Sequence, residues 1–185
     1  MDGLRDVVAA ETVLSDVDGA AGRLIIRGFT LDELAGRVSY EAACHLLLDG
    51  MIDGLPADAD GLRQRLGAAR VQAFREVAAL DAELRRRPPL DAVRALMARL
   101  PDGDDLDVAL RLLAAPAVFA PAVIRAGRGL EPSAPDASLG HAADMLRMLK
   151  GDAPAPAEVR PARVEAATRA AKVEAFRPWS MMVTR

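Results

Sequence analysis

The chain has 185 residues, 51% of them apolar and 28% charged, with a formal net charge of -3 and few aromatics. So large an apolar share can bury one sizeable core, which excludes a disordered polymer. The acidic balance gives no electrostatic reason to expect nucleic acid or an anionic membrane as partner. The lone Cys44 excludes an internal disulfide and a cysteine-built zinc site. Ala, Leu, Arg and Asp dominate, a mixture that favours a mainly α protein. The opening Met1-Asp2-Gly3-Leu4-Arg5-Asp6 has acids where a secretory signal has cations, so a cytoplasmic protein is expected.

In chain order, the first element is a β-hairpin. Two β-branched runs, Val8 to Val17 and Leu24 to Phe29, flank Asp18-Gly19, whose glycine is expected to supply the positive φ of a tight turn. Thr30 and Glu33 have the spacing of a capping box, predicting a short helix that ends near Val38. Ser39 is suited to cap a second helix, carrying Ala42, Ala43, Leu46 and Leu47 on one face and stopping at Gly50. After a loop over 53–60, a helical stripe runs through Leu62, Leu66 and Ala69, and a further one through Phe74, Val77 and Leu84. The latter runs into Arg85-Arg86-Arg87 and Pro88-Pro89, where a solvated helix C-terminus is expected rather than an anion site.

Asp91 is expected to cap the next helix, whose Val93, Leu96, Met97 and Leu100 follow the i, i+3, i+4, i+7 pattern. A helix over about 105–115 follows. The apolar run Leu112 to Ile124 is expected to be broken by Pro116 and Pro121, at a helix start and a kink, and is too short for a membrane span. From Ser138, a regular stripe through Leu139, Ala142, Ala143, Leu146 and Leu149 ends at Lys150-Gly151. Beyond it the character changes. Residues 161–185 hold five Lys/Arg against two Asp/Glu, a net +3 that leaves -6 on residues 1–160. The division is therefore 1–151 as a helical domain with an N-terminal hairpin, and 152–185 as a linker and a basic tail with a weak Ala162 to Ala175 stripe.

Two blocks carry a resemblance. Val8-Ala9-Ala10-Glu11-Thr12-Val13-Leu14-Ser15-Asp16-Val17-Asp18-Gly19 with Gly22-Arg23-Leu24-Ile25-Ile26-Arg27-Gly28-Phe29 is one; Gly140-His141-Ala142-Ala143-Asp144-Met145-Leu146-Arg147-Met148-Leu149-Lys150-Gly151 with Pro154 and Pro156 is the other. In order and spacing they resemble the amino-terminal half of bacterial-type citrate synthases, over about residues 3–160. The resemblance implies a multi-helix large-domain portion of that fold, and a family reaction that condenses an acyl-CoA, usually acetyl-CoA, with oxaloacetate. It also implies an aspartate that takes a proton from the acyl carbon, histidines that stabilise the enol, and arginines that bind carboxylates. The family's "LHADHG" and "HGG" histidine motifs do not occur in this sequence; where the first is due it reads Pro161-Ala162-Arg163-Val164-Glu165. No family catalytic residue maps onto this chain, which is expected to be a truncated, frameshifted or fused product, inactive alone. The alternative is a non-catalytic subunit pairing as a homodimer or with a citrate synthase-like partner. Either way apolar surface is expected on the Met97 and Leu146 faces.

Among the chain's own residues, only His45 and His141 could serve acid–base chemistry as imidazoles. His141 and Asp144, at i, i+3, could act as a base and its orienting carboxylate. A partly exposed surface pair is expected instead, since no third group completes a site. His45 is expected to be packed. Asp16-Val17-Asp18-Gly19 reads as a turn, because position 27, where a calcium loop needs a bidentate Glu, is Arg. Gly127-Arg128-Gly129 lacks a dinucleotide or phosphate-loop fingerprint. No bound cofactor or metal is expected; acyl-CoA would be a co-substrate.

Overall fold

The computed structural model describes residues 12–151, which fall into two compact units, 12–38 and 39–151. The architecture is mainly α, as the sequence predicts, with a small sheet confined to the first unit.

In residues 12–38, strands β1 (Ser15–Asp18) and β2 (Arg23–Ile26) pair antiparallel with Asp18 opposite Arg23. The hairpin is as expected, but its turn is not a tight Asp-Gly reversal. The connection is four residues long, the positive φ falls at Gly22 (62°), and the Asp18 carboxylate accepts the Ala21 N–H at 3.0 Å. A third strand, β3 (Phe29–Thr30), pairs with β2 across Arg27-Gly28. The sequence reading missed it. Both turn residues have positive φ, 49° and 84°, as a two-residue hairpin matching strand twist requires. Thr30 then opens α1 (Leu31–Leu34) with the predicted capping box, its N–H and hydroxyl both 2.9 Å from Glu33 Oε2. The helix stops at Leu34, short of Val38, with Gly36 in the left-handed region (φ 69°) just after it.

Residues 39–151 form a helical core. Helix α2 (Tyr40–Leu48) is capped by Ser39, whose hydroxyl accepts the Ala42 N–H, and Gly50 (φ 70°) ends it, both as predicted. Helix α3 (Ala59–Phe74) continues into a 3-10 turn, Arg75–Ala79, and a second 3-10 turn covers Leu84–Arg86. The Arg85–Arg87 run thus closes a 3-10 turn rather than a longer helix. Arg85 Nε donates to Leu80 O at 3.0 Å and Arg87 pairs with Glu83 at 2.7 Å. Helix α4 (Pro89–Met97) begins two residues before the predicted Asp91 cap, because a proline at the first helical position needs no N–H and already has helical φ.

The main correction concerns α5 (Leu106–Gly127). Pro116 and Pro121 neither start nor divide it; both lie inside one helix capped by Asp105. An interior proline costs about 3 kcal/mol, whereas burying Leu110, Val118, Phe119 and Val123 contributes about 1.5–3 kcal/mol each, enough to carry two. The helix is long and apolar enough to cross a membrane by length and composition, although the run Leu112 to Ile124 alone is too short. In this unit half of that stretch is buried against neighbouring helices. α3 and α5 run in the same direction, joined by Arg65–Asp107 (2.6 Å) and Arg111–Gln72 (3.2 Å). Between them lies an apolar cluster around Leu62, Leu66 and Leu110; a second, around Leu96, Phe119 and Met148, is completed by α4 and α6 (His141–Lys150). Met97 packs against this second cluster and Leu146 is half-buried, so neither of the faces expected to be open is fully exposed in this unit.

The proposed linker and tail, with Trp179 and the Ala162 to Ala175 stripe, lie outside the described residues.

Candidate functional site

The apolar stripe of α3 does not end at Ala69. One turn beyond Leu66 it delivers Arg70, whose side chain has no solvent exposure. A charge so placed must be paired and hydrogen-bonded, or it would cost several kcal/mol. Its partner is Asp144 on α6, equally buried, with Nε donating to Oδ2 at 2.8 Å. The Nη2 of Arg70 donates to the carbonyls of Leu139 (2.7 Å) and Asp136 (3.1 Å). The Asp144 carboxylate also accepts the Asp136 N–H (3.0 and 3.1 Å) and Arg147 Nε (3.0 Å). Arg147 in turn donates to Ala134 O, and Arg63 to Ser138 O at 2.7 Å. Three guanidinium groups therefore fasten the segment 133–140 through its backbone carbonyls. Gly67 makes the approach possible, since a Cβ there would lie 2.2 Å from Ala137 O.

His141 and Glu41 extend the network. The His141 N–H, the first of α6, donates to Glu41 Oε1 at 2.6 Å, and the imidazole stacks on Tyr40 with centroids 4.2 Å apart and planes 8° from parallel. Its Nδ1 lies 3.5 Å from Arg70 Nη1. Burial, reinforced by the positive charge of Arg70, lowers the His141 pKa to about 4, so the ring is neutral at pH 7. Burial, with Cys44 next to it, raises Tyr40 to about 12, and burial also raises the Cys44 thiol, which makes it a poor nucleophile. Asp136 is held below the usual carboxylate range by the hydroxyl and the backbone N–H of Ser138.

His141 and Asp144 are thus close, as their spacing predicts, but they are not the partly exposed surface pair expected. Both are buried, and the carboxylate bonds Arg70, Arg147 and a backbone N–H rather than the imidazole. Arg70, Arg147 and Glu41 were missed, because a charged residue in a helix reads as its solvent face. The available signal was the i+4 spacing of Arg70 from Leu66, matched by Asp144 at i+3 from His141 and i−4 from Met148, the buried face of α6, which is not the stripe through Ala142 and Leu146 expected from the sequence. His45 is packed as expected, its Nε2 2.8 Å from Pro56 O.

Chemically the centre of the cluster is engaged: Arg70 and Asp144 are bonded to each other, to Arg147 and to the backbone of Asp136 and Leu139. Two surface depressions lie apart from it. One, of about 500 Å3, is lined by Met51, Ile52, Asp53, Asp104 and Asp105; the other, of about 330 Å3, by Asp81, Glu83, Leu84, Arg87 and Asp91. Neither pairs a base with an orienting group. Among the described residues no three His, Cys, Asp or Glu side chains are disposed to hold a metal ion.

Comparison with known proteins assigns this framework. The family model described as citrate synthase, C-terminal domain, matches residues 3–170. Citrate synthase of Haloferax volcanii is 34% identical over 174 residues, covering 82% of this chain and 44% of that protein. The 2-methylcitrate synthase of Mycobacterium tuberculosis is 34% identical over 168 residues, covering 85% and 42%. In fold, the crystal structure of citrate synthase from Thermotoga maritima superposes with a TM-score of 0.66 at 22% identity, over 92% of this chain and 49% of that one. The chain spans less than half the length of the relatives it matches. With the hairpin, the helical core and both sequence blocks in register, the chain belongs to the citrate synthase family.

Proposed function

We propose that this chain supplies part of the helical scaffold of a citrate synthase-type acyltransferase and does not by itself condense an acyl-CoA with oxaloacetate. The observation that carries this reading is the mutual commitment of Arg70, Asp144, His141 and Glu41. The reaction needs a base that can reach an acyl carbon, a donor at the developing enol oxygen, and cations free to grip a dianionic keto acid. His141 is stacked on one face and buried, and Arg70 spends its donors on Asp144 and backbone carbonyls, so both act as fold-holding groups. Acyl-CoA and oxaloacetate are the substrates of the reading, handled by groups other than this network, and its setting is the cytoplasm.

A second reading, a non-catalytic subunit that pairs with its own copy or with a full-length citrate synthase, is favoured by Val71 and Leu112. These exposed aliphatics each adjoin the Gln72–Arg111 hydrogen bond on neighbouring helices. A thiol assay tests the first reading. The purified chain with acetyl-CoA and oxaloacetate is expected to release no CoA above a protein-free control, and sustained release overturns the proposal. Size-exclusion chromatography after co-expression with a full-length citrate synthase tests the second, which requires co-elution or self-association.

A further inference from the structure

We propose that the segment 133–140 is an acid-released strap, latched onto α3 and α6 while the imidazole of His141 is neutral and freed when that ring takes a proton. The strap has little apolar anchorage. None of residues 133–139 is fully buried, and most of their side chains are small or polar. What holds them is polar: carbonyls of Ala134, Asp136, Ser138 and Leu139 on arginine donors, and the Asp136 N–H on Asp144.

His141 stands where this clasp is most sensitive to charge. From α3 it is faced by Arg70, whose Nη1 lies 3.5 Å from Nδ1; from α2 by the Tyr40 ring and the Glu41 carboxylate; from α6 itself by Asp144, already shared with Arg147. Asp136 is the charged side chain of the strap, turned onto Ser138. α5, also packed on α6, carries Arg125 beside Gly151 and Arg111, which donates to Gln72 of α3. The neutral ring can turn the lone pair of Nδ1 toward the Arg70 guanidinium. A proton there sets donor against donor and cation against cation in a site with little water to screen them. The Glu41 and Asp144 carboxylates favour the protonated ring, but burial and Arg70 outweigh them.

The sign follows from linkage. The latched ring binds a proton only near pH 4 and the released ring near 6.5, so opening takes up a proton throughout that window. The opening equilibrium should therefore rise by up to about tenfold per pH unit below 6.5, to roughly 150-fold at pH 4.

The test is hydrogen exchange of the full chain between pH 7 and pH 4.5, corrected for intrinsic exchange, with ring NMR of the two histidines, His45 and His141. The amides of Asp136 and His141, whose acceptors are Asp144 and Glu41, should lose protection along that slope while amides of α5 keep theirs. In His141→Gln the slope should flatten. Glu41→Gln, which keeps the acceptor oxygen, should retain it. An equal slope in His141→Gln overturns the proposal, as does a His141 ring that titrates near 6.5 without opening. If His141→Gln does not fold, the wild-type chain decides: strap amides that open before the His141 ring protonates overturn it too.

Discussion

Asp144→Asn is the sharpest test of the buried network. The substitution keeps shape and one carbonyl oxygen but removes the charge that compensates Arg70, and it places an amide donor among the N–H groups of Arg70, Arg147 and Asp136. Removing one partner of a fully buried pair leaves the other uncompensated, at a cost of about 3–5 kcal/mol, a large part of the roughly 5–15 kcal/mol that stabilises a typical domain. At a urea slope of about 2 kcal/mol/M, the midpoint should fall by about 2 M, read by far-UV circular dichroism. Glu83→Gln, which breaks the exposed pair with Arg87, is the control and should leave the midpoint close to that of the parent chain. The double change Arg70→Met/Asp144→Leu should recover only part of the loss, since the carbonyls of Asp136 and Leu139 would remain without donors. If Asp144→Asn shifts the midpoint no further than Glu83→Gln, the pair does not hold the fold and the reasoning is refuted.

Gly67→Ala should destabilise by more than about 1 kcal/mol in the same titration despite the better helix propensity of alanine, because its Cβ would meet Ala137 O at 2.2 Å; Gly127→Ala, with open space around it, should instead stabilise. Pro116→Ala, on the exposed side of α5, should raise the melting temperature by restoring a helical N–H, with a gain of about 1–3 kcal/mol. Pro121→Ala should gain less, since it also leaves a gap in the core. At alkaline pH, Tyr40 contributes stability that is complete below pH 10, where the unfolded ring ionises, and is lost as pH rises toward about 12. Thermal melts from pH 9 upward should therefore fall less steeply for Tyr40→Phe than for the parent chain, and parallel slopes would contradict the burial argument.

Local chemistry was legible wherever its cause spans three or four residues. Thr30 with Glu33, Ser39 with Ala42, and the left-handed stop at Gly151 (φ 92°) each depend on a side chain or a glycine meeting the nearest turn of backbone, so the sequence alone places them. The family, too, could be read from two blocks of residues in order. Burial could not. Pro116 and Pro121 argue locally for a break, and only the surface that α5 buries against α3, α4 and α6 outweighs them. Arg70 argues for solvent, and only Asp144, 74 residues away, makes its interior position tolerable. His141 and Asp144 were found as a pair by spacing, but their environment was decided by α2, α3 and the strap 133–140 closing around them. The sequence alone thus determined caps, helix stripes and lineage, because these rest on short-range geometry. The tertiary structure decided which charges go inside, because desolvation and its compensation depend on partners that only the folded chain brings within 3 Å.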